Sequence, residues 1–172
     1  MNLFFACAIA VVFMLIVPSI LIVVLKNYPK VLKIITLVFS IFYFIALFVG
    51  TSATIDINNN HFSLTFDFSK NWFSLYFILF NFGIRNMLIN IFMLMPLGFI
   101  VYVFCNNHKI IKTVIFAFLV SLVIELYQFV LPITRNTEIT DIIFNTLGGF
   151  FSAIYIKLLD KFLINKNKKI EN

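Results

Sequence analysis

Five long apolar runs with little or no charge limit the folds that this chain can adopt. The runs are residues 3–25, 34–55, 86–107, 113–134 and 142–156. The fourth contains a single charge, Glu125, and lysine side chains that reach the headgroups can extend the fifth to about residue 164. A helix needs about 20 apolar residues to cross a bilayer. The sequence therefore predicts an all-α bundle of about five transmembrane helices.

The composition supports a single membrane domain over residues 1–172. The chain is 62% hydrophobic and 12% charged, whereas a soluble domain has about 25% charged residues. Five spans leave no room for a separate soluble domain. The two cysteines and two distant histidines form no recognisable metal set, so we expect neither metal nor cofactor.

The basic residues predict the orientation of the bundle. Ten of the thirteen lie in the first and third connections and in the C-terminal region, and three, Lys70, Arg85 and Arg135, lie in the other connections. Cytoplasmic loops carry an excess of lysine and arginine. We therefore place the N-terminus outside, the C-terminus inside and residues 165–172 in a basic cytoplasmic tail. The charge marks topology and does not indicate nucleic-acid binding.

An aromatic-rich outer segment, residues 56–83, separates the second and third spans. Aromatic and aliphatic residues alternate with polar ones from Phe62 to Phe68, which is typical of a short strand. Residues 71–83 are apolar but too short to span, which favours an interfacial or re-entrant segment.

Polar side chains of the later spans fall at one depth. A glutamate such as Glu125 costs about 2.5–3.5 kcal/mol on insertion scales, so it needs polar partners or a water-filled pocket. Counting along the helices places seven polar residues in the outer third of the membrane or at its outer surface. They are Asn86, Asn90, Glu125, Gln128, Arg135, Asp141 and Asn145. We predict a polar cluster there, with Arg135 as the counter-charge of Glu125.

Proline and small residues predict how the spans pack. Pro96 lacks a backbone donor and should kink the third span. Gly98 permits close approach of a neighbouring helix. Gly148, Gly149 and Ser152 form a small-residue face on the last span.

These residues also carry a family resemblance, over residues 85–155. The stretches NIFMLMPLG (90–98), ELYQ (125–128), Arg135 with Asp141, and NTLGG (145–149) follow the order N-x5-P-x-G, E-x2-Q, R-x5-D and N-x2-G-G. This pattern resembles the VanZ-like family of bacterial membrane proteins. Leu94 and Ser152 depart from it, standing where the family usually has Phe and often has Gly.

The resemblance implies a multi-pass protein of the bacterial cytoplasmic membrane. Some relatives are linked to low-level resistance to the glycopeptide teicoplanin. It also raises the expectation of a functional role for the polar residues of the motif, and it leaves the reaction and the outer segment open.

Several of the polar residues also have simpler structural explanations. Glu125 can be an ion-paired pin between helices, and Arg135 can be an interfacial anchor or can bind a phosphate. Asp141 can be the N-cap of the last span. Asn90 and Asn145 can hydrogen-bond across helices, which is the interpretation that we favour for Asn145.

Three functions remain open from the sequence. The first is binding of a lipid or lipid-linked amphiphile in the outer leaflet, with Asn86, Asn90, Gln128 and Asn145 as ligand-binding residues. The second is an enzyme acting on a lipid phosphate, with Glu125, Arg135 and Asp141 as catalytic residues. The third is a structural or partner-binding membrane protein. The sequence does not fix the oligomeric state.

Overall fold

The structure is a computed structural model that describes residues 16–52, 54–58, 61–65, 84–130 and 139–170. Within these residues it contains six helices and two short strands. In chain order they are α1 Ile16–Leu25, α2 Pro29–Ser52, β1 Thr54–Asn58, β2 His61–Thr65, α3 Ile84–Met93, α4 Pro96–Phe104, α5 Lys109–Val130 and α6 Ile139–Ile170.

Four stretches of the described chain are long and apolar enough to cross a membrane. They are Pro29–Thr51, Asn86–Phe104, Lys109–Val130 and Ile139–Leu163. The shorter helix α1 is also apolar, and residues 3–15 of the first predicted span lie outside the described residues. The predicted all-α membrane bundle is confirmed, whereas its orientation in the membrane stays a prediction.

The helix bounds differ from the predicted spans mainly where lysines occur. α2 begins at Pro29 and α5 at Lys109, several residues before the uncharged runs begin. Lysine stems can lie along apolar surface while their ammonium groups reach water, so a lysine need not end a membrane helix. At its other end α2 stops at Ser52, and the last two residues of the predicted second span belong to β1.

α6 is the centre of the described bundle. It packs along α3, α4 and α5, while α2 packs against α4. Leu94 and Leu97, at the junction of α3 and α4, are fully buried in the apolar core. Large side chains such as Phe42 of α2 and Val123 of α5 are exposed, as expected for helices that face acyl chains.

Hydroxyl groups buried within α2 are satisfied by the helix itself. Thr36 donates to the carbonyl oxygen of Leu32 and Ser40 to that of Thr36, each at 2.7 Å. Thr51 donates to the carbonyl oxygen of Leu47 at 2.9 Å. A membrane interior offers no water to replace such bonds, so bonding to the preceding turn lets a polar residue occupy a span.

The span formed by α3 and α4 is interrupted at residues 94 and 95, as predicted from Pro96. The N–H of Leu97 donates to the carbonyl oxygen of Leu94 at 3.2 Å rather than to that of Met93, four residues earlier. The released Met93 carbonyl accepts the hydroxyl of Tyr43 from α2 at 2.8 Å. A neighbouring helix thus satisfies the backbone group that the break leaves without a helical partner.

Two glycines of α6 set its distance from the neighbouring helices. A Cβ on Gly148 would lie 1.9 Å from the carbonyl oxygen of Ile91 in α3. A Cβ on Gly149 would lie 2.5 Å from the Cβ of Ala117 in α5. The small-residue face predicted for this helix is therefore used on two sides at once.

A third close approach joins α4 to α6. A Cβ on Gly98 would lie 1.8 Å from the Oγ of Ser152. The serine hydroxyl therefore fills the space that a side chain at position 98 would need. Ser152 is fully buried, and its Oγ has no hydrogen-bond partner among the described residues.

The described part of the outer segment is an antiparallel β-hairpin. β1 and β2 pair from Thr54 with Thr65 to Asn58 with His61. The strand predicted from the alternation between Phe62 and Phe68 is confirmed as far as Thr65. Residues 66–83, including the predicted re-entrant stretch 71–83, lie outside the described residues.

Replacing Gly148 by alanine should destabilise the bundle, because the added methyl group would meet a backbone oxygen that cannot rotate away. We expect the Gly148→Ala variant to lose about 1–3 kcal/mol of unfolding free energy. Thermal unfolding of the purified protein in detergent measures the loss.

Gly50→Ala is the matched control, because a Cβ at this helical position would meet no atom within 4 Å. Its stability should be unchanged or slightly raised, since alanine favours helix over glycine. Equal stability of the Gly148→Ala and Gly50→Ala variants would show that the close contact between α6 and α3 does not require a glycine.

Candidate functional site

Three polar side chains of α5 lie on one buried stripe. Ser121, Glu125 and Gln128 follow each other by four and three residues, which places them on one face of a helix. Glu125 and Gln128 are each only 3% exposed. The carboxylate thus lies inside the bundle rather than toward lipid, as its insertion cost requires.

Asn145 of α6 joins this stripe. Its Nδ2 donates to the Oγ of Ser121 at 2.9 Å, and the residue is 1% exposed. The interhelical role that the sequence favoured for Asn145 is therefore observed, although its partner is Ser121. The Oδ1 of Asn145 is buried and has no partner among the described residues.

Gln128 connects α5 to the end of α2. Its Nε2 donates to the backbone oxygen of Thr51 at 3.3 Å. Thr51 lies in the last turn of α2, where carbonyl groups have no helical donor. The glutamine side chain therefore completes the hydrogen bonding of a buried helix end.

Asn90 and Asp141 connect α3 to α6. The Nδ2 of Asn90 donates to the Oδ1 of Asp141. Because α6 begins at Ile139, Asp141 lies in its first turn and not at the N-cap, which corrects the structural alternative considered for it. A carboxylate is favourable there because it faces the positive end of the helix dipole.

These contacts bring the ends of four helices to the same side of the bundle. Gln128 is near the end of α5 and Thr51 near the end of α2, whereas Asn90 lies in the first half of the span Asn86–Phe104 and Asp141 in the first turn of α6. We call the buried and half-buried residues at this end the polar cluster. Its members are Asn90, Ser121, Glu125, Gln128, Asp141 and Asn145.

Two of the predicted site residues have no described place in the polar cluster. Asn86, one turn before Asn90, is exposed. Arg135 lies in residues 131–138, outside the described residues, so its pairing with Glu125 stays a prediction. Sequence reasoning missed Ser121, although its position four residues before Glu125 places it on the same helix face. The sequence analysis also missed the Thr51 carbonyl as a partner of Gln128, because a backbone acceptor cannot be recognised from the pattern of side chains.

An apolar groove runs beside the polar cluster, between α2 and α5. We call it the α2–α5 groove; its volume is about 480 Å³. Phe48, Leu119 and Val123 line it and are half or more exposed, so it is open to the membrane. Thr51 and Tyr127 line it at the end where Gln128 contacts α2.

The cluster offers hydrogen-bonding groups and negative charge. Its two carboxylates and three amides provide acceptors and donors, and no basic side chain belongs to its described members. Within the described residues, no group of three or more His, Cys, Asp or Glu side chains could hold a metal ion. The arrangement suits recognition of a polar headgroup, and Glu125 and Asp141 can exchange protons.

The contact between Asn90 and Asp141 should contribute to stability as a pair. In a double-mutant cycle with Asn90→Ala and Asp141→Ala, we expect a coupling energy of about 1 kcal/mol, measured by unfolding in detergent. The exposed Asn86 provides the control. The changes in unfolding free energy caused by Asn86→Ala and Asp141→Ala should simply sum in the double variant. If the effects of Asn90→Ala and Asp141→Ala on unfolding free energy were also additive, the contact between the two side chains would not be stabilising.

Comparison with known proteins identifies the family to which this chain belongs. The family model VanZ/LLP1 matches residues 4–160, which includes every described helix of the bundle except the end of α6. No curated protein and no solved structure matches the chain. The match covers most of the sequence and includes the whole polar cluster, so the chain belongs to the VanZ/LLP1 family and is a VanZ-like multi-pass membrane protein.

Proposed function

We propose that this protein binds a lipid-linked component of the bacterial cell envelope in the outer leaflet of the cytoplasmic membrane. The polar cluster receives the headgroup and the α2–α5 groove receives the hydrocarbon chain. The observation that carries the proposal is the position of Gln128, whose amide contacts Thr51, a residue that also lines the groove. Polar and apolar recognition surfaces are therefore adjacent.

The α2–α5 groove supports a hydrocarbon chain as its occupant. It is lined almost wholly by aromatic and aliphatic side chains, and it opens where the helices face acyl chains. Its volume of about 480 Å³ falls within the range of about 300–1,000 Å³ that is usual for small-molecule sites. A chain entering from the bilayer would not cross water.

The polar cluster supports a headgroup rich in hydrogen-bond donors. Carboxylates such as Glu125 and Asp141 accept from hydroxyl and amino groups, and the amides of Asn90 and Gln128 would help to orient the headgroup. Sugar and amino-sugar groups of envelope precursors have this chemistry, and so does a lipid-tailed glycopeptide such as teicoplanin. Protection against teicoplanin is therefore the activity that we propose for the same site.

Blocking the α2–α5 groove should abolish retention of the lipid-linked compound. Leu119→Trp places a large ring in the groove, while Leu126→Trp makes the same change on an α5 residue of similar exposure that does not line it. Native mass spectrometry of each purified protein should detect an amphiphile on the wild type and on Leu126→Trp only. Equal retention by both variants would refute the groove as its site.

Removing the charge of Glu125 tests the polar cluster. Glu125→Gln keeps the shape of the side chain, so a binding role predicts reduced protection against teicoplanin at normal membrane abundance. The measurement is the minimum inhibitory concentration in a sensitive Gram-positive host that expresses wild type or variant. Full protection by the variant would exclude both a charge-dependent binding role and general acid or base catalysis by Glu125.

The same experiment separates the structural alternative. If Glu125 only holds helices together, Glu125→Gln should lower membrane abundance or thermal stability in parallel with any loss of protection. A variant that stays abundant, keeps its amphiphile and loses protection would instead favour a catalytic step after binding.

A further inference from the structure

A second cavity lies at the beginning of α5 and near the end of the span Ile139–Leu163 of α6, away from the polar cluster. We call it the lysine pocket; its volume is about 530 Å³. Its floor includes Gly98 and Ile156, and Lys109 and Lys157 lie at its wall. Lys109 is the first residue of α5, and Lys157 lies about four turns after Asp141 on α6, at about 3.6 residues a turn.

Aromatic contact positions one of the two ammonium groups. The Nζ of Lys109 lies 3.8 Å from the centroid of the Tyr102 ring, which is a cation–π geometry. The hydroxyl of Tyr102 also interacts electrostatically with the Asp160 carboxylate, which lines the same pocket. One tyrosine thus engages both the lysine and the carboxylate of the pocket.

The two lysines of the pocket outnumber its carboxylates. Neither Lys109 nor Lys157 forms an ion pair with a residue in the described part of the chain, and Asp160 is the single carboxylate of the lining. The lining therefore carries a net positive charge of one with His108 neutral, two lysines against one aspartate. Lys109 is half-buried and Lys157 is exposed, and Asp160 can balance only one of their two charges, so the pocket can accept a further anion.

From this arrangement we infer that the lysine pocket binds the phosphate group of an anionic amphiphile. The two ammonium groups bind the phosphate oxygens, and the apolar floor formed by residues such as Gly98 and Ile156 contacts the hydrocarbon beneath the headgroup. The predicted orientation places this end of the bundle at the cytoplasmic leaflet, where anionic lipids attract lysines. This site is separate from the outer-leaflet site and does not depend on the function proposed there.

The phosphate can belong to a membrane lipid or to a soluble phosphate compound. A lipid is favoured because α4, α5 and α6 all contribute to the pocket and its lining includes the exposed apolar residue Ile111. A soluble phosphate would use the same lysines without the apolar floor. Both sources are compared in the test.

The test titrates the full-length protein in detergent with phosphatidylglycerol, phosphatidylcholine or inorganic phosphate, and native mass spectrometry measures binding. The pocket variant is Lys109→Gln with Lys157→Gln. The control is Lys112→Gln with Lys161→Gln, which removes the same charge from the same helices at exposed positions outside the pocket. Lys157→Gln alone, at an exposed position, provides a variant that keeps the contact of Lys109 with Tyr102.

We expect phosphatidylglycerol to bind the wild type and the control about equally and the pocket variant about tenfold more weakly. The single variant should lie between them. Equal weakening in pocket and control variants would overturn the proposal, because it would show diffuse attraction to surface lysines. Equal binding of phosphatidylcholine would also overturn it, and inorganic phosphate that competes fully would reject a lipid as the source.

Discussion

The close approach of α6 to its neighbours is the constraint on which the described bundle depends. Gly148 lies against the backbone of α3 at Ile91, and Gly149 lies against Ala117 of α5. Without a hydrophobic driving force between helices in lipid, such backbone contact and interhelical hydrogen bonds stabilise the association. The polar contacts lie beside these glycines: Asn90 precedes Ile91, and Asn145 is three residues before Gly148. Short helix separation is what allows short side chains to meet.

Polar groups in this bundle are satisfied by three different means. Hydroxyls such as Thr36 bond to their own helix, and Tyr43 satisfies a carbonyl released by the break at Pro96. Amides and carboxylates of the polar cluster instead bond between helices or to a helix end. The last group is the candidate site, because self-satisfied hydroxyls are not available to a ligand whereas a cluster shared between helices can rearrange around one.

The two sites that we propose differ in charge as well as position. The described polar cluster is acidic, with Glu125 and Asp141, and lies beside the α2–α5 groove. The lysine pocket is basic and lies at the beginning of α5 and near the end of the span within α6. Under the two proposals, the acidic site would receive a headgroup from the outer leaflet and the basic site a phosphate from the inner leaflet. This division follows from the distribution of lysines that also predicts the topology.

The sequence by itself determined the last four spans, the break at Pro96, the small-residue face of α6 and the grouping of Asn90, Gln128, Asp141 and Asn145 on one side of the bundle. These follow from the length of uncharged runs and from helical spacing, which are local properties. Only the tertiary structure decided the partners: Asn145 with Ser121, Gln128 with the Thr51 carbonyl, and Asn90 with Asp141. Depth places residues in a layer, but which side chains meet within it depends on helix order and rotation. Those are fixed by packing between residues far apart in the chain, such as Gly148 against Ile91.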